Sequence, residues 1–305
     1  MQSKENKLLP GLYIVGTPIG NMGDMSPRAI ETLRDADVVA CEDTRVFGKL
    51  ATKFDIKTRR IAFHDHNERE LIERITDMIA GRRDSHGTPA LTGTIPGASI
   101  AIVSDSGMPT ISDPGFRLVR ACREMGLPVF VVPGPTAVIS ALALSGFPTD
   151  RFTFCGFLPA TDAARETALH NDNKIRHTII YYDSPNRIME TIAACARIMP
   201  ERKIAIVREI TKIHEETIIG YPSEIIVGAN NHSPEKSPFK GEIVLVIAPA
   251  PDVKMTDSDI AEIVNDITGG RGHAPKPTKS AASELAARTG ISKKEAYGKI
   301  ISDKK

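Results

Sequence analysis

The sequence predicts an α/β protein with two α/β domains, followed by a small helical domain at the C-terminus. In the first 132 residues, short β-branched segments alternate with segments of helical spacing, which is typical of a mostly parallel sheet with helices on both faces. A Pro-Gly-Pro sequence at 133–135 then resembles a hinge, and further strands follow it. Residues 281–297 predict a helix pair beyond an Ala/Pro linker at 248–251. The predicted domains are therefore residues 1–132, 133–249 and 250–305.

The elements of the first half follow from local residue types. Residues 26–27, Ser-Pro, are those favoured at a helix N-cap and at the first helical position. Apolar residues at helical spacing between 71 and 79 predict a helix that Gly81 ends. Another helix is predicted to be capped by Asp113 and to stop at Gly126. The predicted strands of this half are residues 12–15, 38–41, 99–103 and 129–132.

The second half is predicted to hold a sheet that is partly antiparallel, because its last strands have few helices between them. Ser184 and Pro185 predict the N-cap and first position of a helix in this half. Residues 84–97, rich in Gly, Ser, Thr and Pro, predict a loop insertion in the first half. The predicted strands of the second half are residues 152–157, 178–182, 203–207, 215–219 and 242–247.

Composition is that of a soluble globular protein, and a cytoplasmic location is expected. No apolar run reaches the roughly 18 residues that span a bilayer, and the polar start lacks the apolar core of a signal peptide. The four cysteines are far apart and predict buried, reduced thiols. The net charge of +1 is no signature of nucleic-acid binding. Residues 271–305, however, carry nine Lys/Arg and three Asp/Glu, which is compatible with RNA or DNA contact or with a solvated surface.

Three loops rich in glycine and turn-forming residues follow predicted strands, at 16–24, 104–115 and 133–136. In an open α/β sheet, ligands bind beyond the carboxyl ends of the strands. The first loop has neither the dinucleotide-binding spacing nor a Walker sequence. Asp113 is interpreted as a cap, whereas Asp105 has no such local role and could accept a hydrogen bond from a cofactor. The alternative for each loop is an ordinary strand-to-helix turn.

Polar clusters follow other predicted strands, at 42–45, 64–68 and 208–216. His64 and His66 suggest a metal site, but a wider set of His and Cys ligands is absent, so the segment is interpreted as a polar cleft rim without a metal. Four cations could jointly hold phosphates, or could form salt bridges at the surface. These are Arg45, Arg187, Arg208 and Lys212.

Five motifs stand in a fixed order between residues 12 and 247: Val-Gly-Thr-Pro-Ile-Gly-Asn, Cys-Glu-Asp-Thr-Arg, Ser-Asp-x-Gly-x-Pro-x-Ile-Ser-Asp-Pro-Gly, Pro-Gly-Pro and Tyr-x-Ser-Pro-x-Arg. This set closely resembles the tetrapyrrole methylase superfamily, and within it the methyltransferases that act on small-subunit ribosomal RNA. The resemblance implies two α/β domains of the tetrapyrrole methylase type, with S-adenosylmethionine in the cleft between them. It also implies a homodimer, an extra C-terminal domain, and 2′-O-methylation of a cytidine in the decoding region of 16S ribosomal RNA.

The resemblance also assigns site residues. The cofactor cleft would be lined by Gly16, Pro18, Ile19, Gly20, Asp105, Gly107, Gly134 and Pro185. The candidates for substrate positioning or proton removal are Glu42, Asp43, Arg45, His64, Lys212 and Glu215. The family usually has Ala and Thr where this chain has Ser106 and Met108, and Glu and His where it has Asp183 and Asn186. The last difference argues against an essential proton transfer at position 186.

Two other functions remain open at this point. A tetrapyrrole C-methyltransferase of the same superfamily would have the same fold, because fold does not fix substrate. A nucleic-acid-binding regulator could use the helix pair at 281–300 in a major groove. The cluster at 42–45 and the basic tail favour RNA over a tetrapyrrole, and a regulator would leave the α/β part of the chain unexplained.

Overall fold

A computed structural model of the protein describes residues 8–82, 97–230, 239–251, 257–268, 277–289 and 291–303. The chain divides into two compact units, Met1–Ala250 and Pro251–Lys305. The loop insertion predicted at 84–97 lies outside the described residues except for Gly97, and so does Gly290 of the predicted C-terminal turn. No helix among the described residues is long and apolar enough to cross a membrane.

The first sheet has five strands, all paired in parallel, in the order β3-β2-β4-β1-β5. This confirms the parallel sheet predicted from the alternating pattern. The central strands are buried on both faces, as parallel sheets require. The strands are β1 (Gly11–Val15), β2 (Val38–Cys41), β3 (Arg60–Ala62), β4 (Ser99–Val103) and β5 (Val129–Val132).

Helices cover both faces of this sheet because successive residues of a strand point to opposite sides. Tyr13 and Val15 contribute to the core beneath α1 (Pro27–Asp35) and α2 (Thr44–Lys53). Leu12, between them, contributes to the core beneath α3 (Glu68–Ala80) and α4 (Phe116–Glu124). The first sheet is therefore the middle of three layers.

The predicted start of α1 and the predicted end of α3 are confirmed, whereas the predicted start of α4 is wrong. The Ser26 hydroxyl accepts a hydrogen bond from the Ala29 N–H at 3.1 Å, and Gly81 ends α3 with a φ of 68°. Asp113 is not the cap of α4: the N-cap residue is Gly115, with a φ of +117°, and the helix starts at Phe116. The chain is still turning at 113, so the Asp113 side chain is not used to cap α4.

The second sheet has the order β6-β7-β10-β8-β9, in which β6 and β7 are parallel and the other pairs antiparallel. The predicted partly antiparallel sheet is thus confirmed. One face packs on α5 (Ala137–Ser145), and the other packs on α6 (Asp162–Asp172), α7 (Ile188–Ile198) and α8 (Pro222–Asn230). The strands are β6 (Phe152–Phe157), β7 (Thr178–Asp183), β8 (Ile204–Arg208), β9 (Glu216–Gly220) and β10 (Ile243–Ile247).

Helix α7 begins three residues later than predicted, so Ser184 and Pro185 are not its N-cap and first residue. Residues 185–187 form a turn in which the N–H groups of Arg187 and Ile188 both donate to the Ser184 carbonyl, each at 3.0 Å. The Ser184 hydroxyl faces the Arg187 side chain at 3.4 Å instead of capping the backbone. The turn leaves Pro185 at the end of β7, where it lines a cavity described below.

The proposed boundary at residue 133 falls after the last strand of the first sheet and before α5, which packs on the second sheet. Both sheets nevertheless belong to the single compact unit Met1–Ala250. The division into domains 1–132 and 133–249 therefore stays a prediction.

The C-terminal unit is helical, as predicted. Its helices α9 (Asp257–Thr268), α10 (Thr278–Thr289) and α11 (Lys293–Asp303) share one small apolar core. The pair α10–α11 was predicted from the sequence, but α9 was not. Leu285 of α10 and Ile300 of α11 are fully buried in this core, together with Val264 of α9, so the pair is part of a three-helix arrangement.

Candidate functional site

Three loops meet at the carboxyl edge of the first sheet, because the strands that they follow, β4, β1 and β5, are neighbours. The N–H of Gly16 donates to the Val132 carbonyl at 3.0 Å, and the N–H of Thr17 donates to the Gly107 carbonyl at 2.9 Å. The buried Thr17 hydroxyl also donates to the Ser104 carbonyl at 3.2 Å. The loop after β1 is thus attached to both of its neighbours.

Gly16 and Gly134 bring the first and third loops into backbone contact. A Cβ at Gly16 would lie 2.7 Å from the Gly134 Cα and 2.7 Å from the Met108 sulfur. A Cβ at Gly134 would in turn lie 2.8 Å from the Gly16 Cα. Glycine at both positions is explained by this close approach. Their predicted contact with a cofactor stays a prediction, since neither lines the cavities described next.

Gly16→Ala is expected to lower the free energy of unfolding by about 1–3 kcal/mol, because the added methyl group must displace backbone. The matched control is Gly228→Ala in α8, where a Cβ would meet nothing within 4 Å. We expect that control to be neutral or stabilising, since alanine is the better helix former. Chemical denaturation of both variants measures the difference. Equal stability of Gly16→Ala and the wild type would show that the loops can separate at little cost.

A cavity of about 370 Å³, called here the larger cavity, lies between these loops and the second sheet. Its volume falls in the range of roughly 300–1,000 Å³ that is usual for small-molecule sites. Aliphatic, sulfur-containing and aromatic side chains dominate its walls, with a few polar groups between them. Those used below are Ile19, Met108, Asp113, Phe157, Tyr182 and Asp183.

A second pocket of about 230 Å³, the smaller pocket, lies next to the larger cavity and shares Ile19, Ser106 and Glu242 with it. Its other walls come from the first loop, from Asp105, from Lys212 and from α2. The two spaces are therefore adjacent, as a cofactor and an acceptor must be for direct transfer of a group.

The predicted cofactor residues divide between these spaces. Those that line the larger cavity are Ile19, Gly107 and Pro185. Those that line the smaller pocket are Pro18, Ile19, Gly20 and Asp105. The assignment of each as a cofactor ligand stays a prediction. Because Ile19, Gly107 and Pro185 lie at the wall of the larger cavity, the geometry favours these three as contacts for a molecule bound there.

Asp113 lines the larger cavity and lies among other acids. Burial and the charge of Glu42, with smaller contributions from Asp105 and Asp65, raise the pKa of Asp113 to about 6. A hydrogen bond from the Ser104 hydroxyl opposes this shift. A carboxylate with such a pKa can take up a proton near neutral pH, which is the property required of a general base.

Glu42 and Asp105 form the rest of this acidic group. Burial, followed by the charge of Asp105, raises the pKa of Glu42, and burial is also the main cause that raises the pKa of Asp105. An Asp105 oxygen accepts a hydrogen bond from the Asp43 N–H at 3.1 Å, which fixes the carboxylate beside the smaller pocket. Of the predicted catalytic carboxylates, Glu42 is thus the one close to Asp113.

Asp43 and Arg45 are engaged with each other. Asp43 is the N-cap of α2, and its carboxylate accepts from the Arg45 N–H at 2.7 Å and pairs with the Arg45 guanidinium at 2.7 Å. The hydrogen bonds from Arg45 hold the pKa of the Asp43 carboxyl well below its usual range. A carboxylate that resists protonation in this way is a poor proton acceptor, so this pair begins a helix and does not fit proton removal.

His64 lies two residues after β3 and is half-buried, and its backbone N–H donates to the Asn67 side-chain oxygen at 2.9 Å. Its ring nitrogen Nδ1 is buried and has no hydrogen-bond partner among the described residues. The His64 and His66 rings are 5.9 Å apart. In the described part of the chain, no group of three or more His, Cys, Asp and Glu residues is arranged to hold a metal ion.

The four cations that could have held phosphates jointly all have acidic partners. Lys212 binds Glu209 at 2.8 Å and Glu242 at 3.0 Å. Burial lowers the pKa of Lys212, but these two hydrogen bonds outweigh it and raise the pKa. The remaining pairs are Arg45 with Asp43, Arg187 with Asp183 at 3.8 Å, and Arg208 with Glu216 at 2.6 Å. The structure favours the salt-bridged surface for this set.

Two loops that border the cavities hold strained backbone. Thr110 and Ser112 have φ values of 76° and 64°, and Glu209 and Thr211 have values of 51° and 66°. Such conformations cost about 1–3 kcal/mol each and concentrate at functional sites. Glu215 supports the second loop, because its carboxylate accepts from the Thr211 N–H at 2.6 Å. The structure therefore gives Glu215 a role in shaping the loop.

Glu68 is a residue of this region that sequence analysis did not identify as functional. It is 3% exposed, and its carboxylate accepts from the Gly115 N–H at 3.2 Å and from Arg117 at 3.4 Å. It thereby holds the end of the 104–115 loop at the start of α4. In the sequence an acid at the start of a helix is unremarkable, so no signal distinguished it.

Asp183 ends β7 at the wall of the larger cavity. One carboxylate oxygen accepts from the Ser184 N–H at 2.7 Å, while the other is buried and has no hydrogen-bond partner among the described residues. Asn186, which departs from the family pattern together with Asp183, is exposed. The buried, unpaired oxygen of Asp183 could accept a hydrogen bond from an amino or hydroxyl group.

Comparison with known families and proteins gives consistent matches. The family model of tetrapyrrole (corrin/porphyrin) methylases matches residues 11–225. Ribosomal RNA small subunit methyltransferase I of Vibrio cholerae is 43% identical over 249 residues, which are 80% of this chain and 80% of that protein. The protein of the same name from Mesorhizobium japonicum is 38% identical over 295 residues, which are 96% of this chain and 92% of that protein.

Among solved structures, a diphthine synthase is similar in fold, with a TM-score of 0.56 over 78% of this chain and 89% of that chain. The identity is 12%, so this likeness concerns the fold alone. The fold is thus shared with a protein of known structure.

Proposed function

The chain belongs to the tetrapyrrole methylase family, within it to the proteins named ribosomal RNA small subunit methyltransferase I, and from this premise we propose that it transfers a methyl group from S-adenosylmethionine to 16S ribosomal RNA. The proposed acceptor is the 2′ oxygen of a cytidine ribose in the decoding region, and the proposed substrate is the small ribosomal subunit that contains it. The observation that carries the proposal is the pair of adjacent spaces at the carboxyl edge of the first sheet.

The larger cavity fits the cofactor. Its volume of about 370 Å³ is that of a small-molecule site, and Phe157 and Tyr182 offer aromatic surface for an adenine ring. The buried oxygen of Asp183, which has no hydrogen-bond partner in the part of the chain that the structure describes, offers an acceptor for an amino or hydroxyl group. Ile19, Gly107 and Pro185 complete the set of residues that would hold it.

When bound, S-adenosylmethionine supplies a methyl group on a sulfonium, which is already activated for transfer. The protein has to align this group with the acceptor oxygen and to remove the hydroxyl proton. As the acceptor oxygen takes up the methyl group, its hydroxyl proton would pass to a carboxylate of this chain. Asp113 is the carboxylate that we assign to this step, since it lines the larger cavity and has the raised pKa.

Glu42 is the runner-up for proton removal, because it lies beside Asp113 and its pKa is also raised. Asp43, Lys212 and Glu215 are engaged in salt bridges or in loop geometry and are assigned positioning roles only. His64 lines neither of the two spaces, and its candidacy for contact with the substrate rests on its ring nitrogen Nδ1, which has no hydrogen-bond partner among the described residues.

A homodimer is part of the proposal. β5 is an edge strand of the first sheet, and its Phe130 and Val131 are 36% and 53% exposed. Exposed apolar side chains on an edge strand favour pairing with another chain. A second copy of this protein is the partner that the family resemblance implies. We also propose that the protein is located in the cytoplasm, where small ribosomal subunits are modified.

The experiment that tests the function is transfer of labelled methyl from S-adenosylmethionine to unmodified small ribosomal subunits, followed by nucleoside analysis. We expect the label as 2′-O-methylcytidine in 16S RNA. Naked RNA and a tetrapyrrole precursor are incubated in parallel. Label on the tetrapyrrole alone would support the alternative of a tetrapyrrole C-methyltransferase and contradict the RNA substrate. Binding of duplex DNA without methyl transfer would support the regulator instead.

A further inference from the structure

A strongly cationic segment lies beside the smaller pocket. Residues 44–60 contain Arg45, Lys49, Lys53, Lys57, Arg59 and Arg60, and all six are exposed. The segment contains a single acid, Asp55, which pairs with Lys57 at 3.4 Å. The chain as a whole is nearly neutral, with a net charge of +1. The positive charge is therefore concentrated at this place in the α/β unit.

Four of these cations form one surface, the basic face, which consists of Arg45, Lys49, Lys53 and Arg60. The first three recur every four residues on α2, so they lie along one side of the helix at steps of about 6 Å. Arg60 comes from the edge strand β3 and lies against α2, since its guanidinium nitrogen is 3.4 Å from the place of a Cβ on Gly48.

The basic face borders the smaller pocket. Val46, Phe47 and Leu50 of α2 all line that pocket. Val46 is three residues before Lys49 and seven before Lys53, a spacing that puts the three side chains on the same side of the helix. A chain that lies on the basic face can therefore extend directly into the smaller pocket.

Three members of the basic face are available to a ligand. Lys49, Lys53 and Arg60 form no ion pair with any residue that the structure describes. The cations deeper in the cleft differ, because Arg208 and Lys212 are each bound to acidic side chains. An external anion would have to displace those partners, whereas at the basic face it meets exposed charges.

We infer that the basic face binds the sugar–phosphate backbone of the RNA on one side of the target nucleotide. The ribose of that nucleotide passes through the smaller pocket, so that its 2′ hydroxyl reaches the adjoining larger cavity, which Asp113 lines. This inference rests on the proposed function and adds the surface that positions the substrate. Lysine and arginine at regular intervals complement the charge of successive phosphates. Sequence-specific RNA sites are usually single-stranded or splayed out, and a single strand can follow α2 into the pocket. From its composition, the C-terminal tail was the segment expected to contact RNA, whereas the basic face belongs to the α/β unit.

The test is a triple variant, Lys49→Gln, Lys53→Gln and Arg60→Gln, compared with the wild type in binding a transcribed 16S RNA fragment that spans the decoding region. At ~0.1 M salt we expect affinity to fall roughly ten- to hundredfold, and the slope of log K against log salt to become less steep by about 2. In methyl transfer, KM for RNA should rise while kcat and the affinity for S-adenosylmethionine are kept.

A matched control removes three exposed cations that precede the amino ends of β6 and β7 in the second sheet, away from the cavities at the carboxyl ends. Its substitutions are Arg151→Gln, Lys174→Gln and Arg176→Gln. The control loses three positive charges, as the basic-face variant does, but at a surface outside the basic face. We therefore expect the control to keep both the RNA affinity and the slope of log K against log salt. An unchanged slope in the basic-face variant, or an equal loss in the control, would overturn the inference. Failure of the proposed function is distinct, because the wild type would then transfer no methyl group to RNA in any assay, whatever the binding result.

Discussion

Replacement of Asp113 by asparagine is expected to lower kcat for methyl transfer by roughly 10²–10⁴-fold, the usual contribution of a positioned general base. The amide has nearly the shape of the carboxylate but cannot take the hydroxyl proton. Asp113 lines the larger cavity, and α4 does not use it as a cap, so the variant should fold. Single-turnover methyl transfer and S-adenosylmethionine affinity measure chemistry and binding separately.

The pH dependence gives an independent readout of the same role. Asp113 can accept a proton only as the carboxylate, and its pKa is about 6. The rate of the wild type should therefore fall as the pH drops through about 6 and level off above it. The groups that face Asp113 are Glu42, Asp65 and Asp105, whose negative charges raise its pKa, together with Ser104 and Tyr182. The asparagine variant should lack this acid limb.

Glu42→Gln is the matched control for this prediction. It removes the neighbouring charge that raises the pKa of Asp113, so the acid limb should move to lower pH while most of the rate is kept. A rate of Asp113→Asn within fivefold of the wild type would contradict the assignment. Loss of S-adenosylmethionine affinity with unchanged kcat would contradict it too, and would make Asp113 a cofactor ligand.

Arg202→Met is expected to destabilise the fold by about 3 kcal/mol, because it leaves buried carbonyls without a donor at a cost of about 1–3 kcal/mol each. Arg202 is 2% exposed, and its guanidinium donates to the carbonyls of Ala248, Ile175 and His177 at 2.7, 3.0 and 3.1 Å. These groups lie at the ends of strands in the second sheet, so the arginine ties three chain segments together.

The expected loss corresponds to a decrease in Tm of about 6–12 °C. Arg197→Met is the matched control: Arg197 is on α7, its side chain is 60% exposed, and it pairs with Glu166 at the surface. An exposed pair contributes at most about 1 kcal/mol. If Arg202→Met and Arg197→Met lowered stability equally, the buried carbonyls would have to be satisfied in some other way.

The fold class could be predicted because it depends on local patterns. Strands buried on both faces are near-continuous apolar runs rich in Ile and Val, such as those of β4 and β10, and these are visible in the sequence. Ser26 and Gly81 mark helix ends through their own backbone and side-chain chemistry. Helix α9 was missed although Ile260, Ile263, Val264 and Ile267 recur at helical spacing, whereas the strand β3 has only three residues and therefore little pattern to detect.

The helix starts at Asp113 and Ser184 show where local chemistry is insufficient. Both positions carry an Asp or Ser followed by proline, the residue types of a helix start. In each case the chain makes a further turn before the helix begins, at Phe116 and at Ile188. The turns are fixed by contacts distant in sequence, such as the bond from the Gly115 N–H to Glu68. These contacts place both residues at the cavity wall.

By itself, the sequence determined the α/β class, the order of the strands along the chain, the loops that carry the site and the family to which the motifs belong, because each of these depends on residues close together in the chain. Only the tertiary structure decided which charges are available. It paired Arg208 and Lys212 with acids, left Lys49, Lys53 and Arg60 exposed, and gathered Glu42, Asp105 and Asp113 into one acidic group. Charge interactions act over distances in space, and residues far apart in the sequence set both the pairing of a cation and the pKa of a carboxylate.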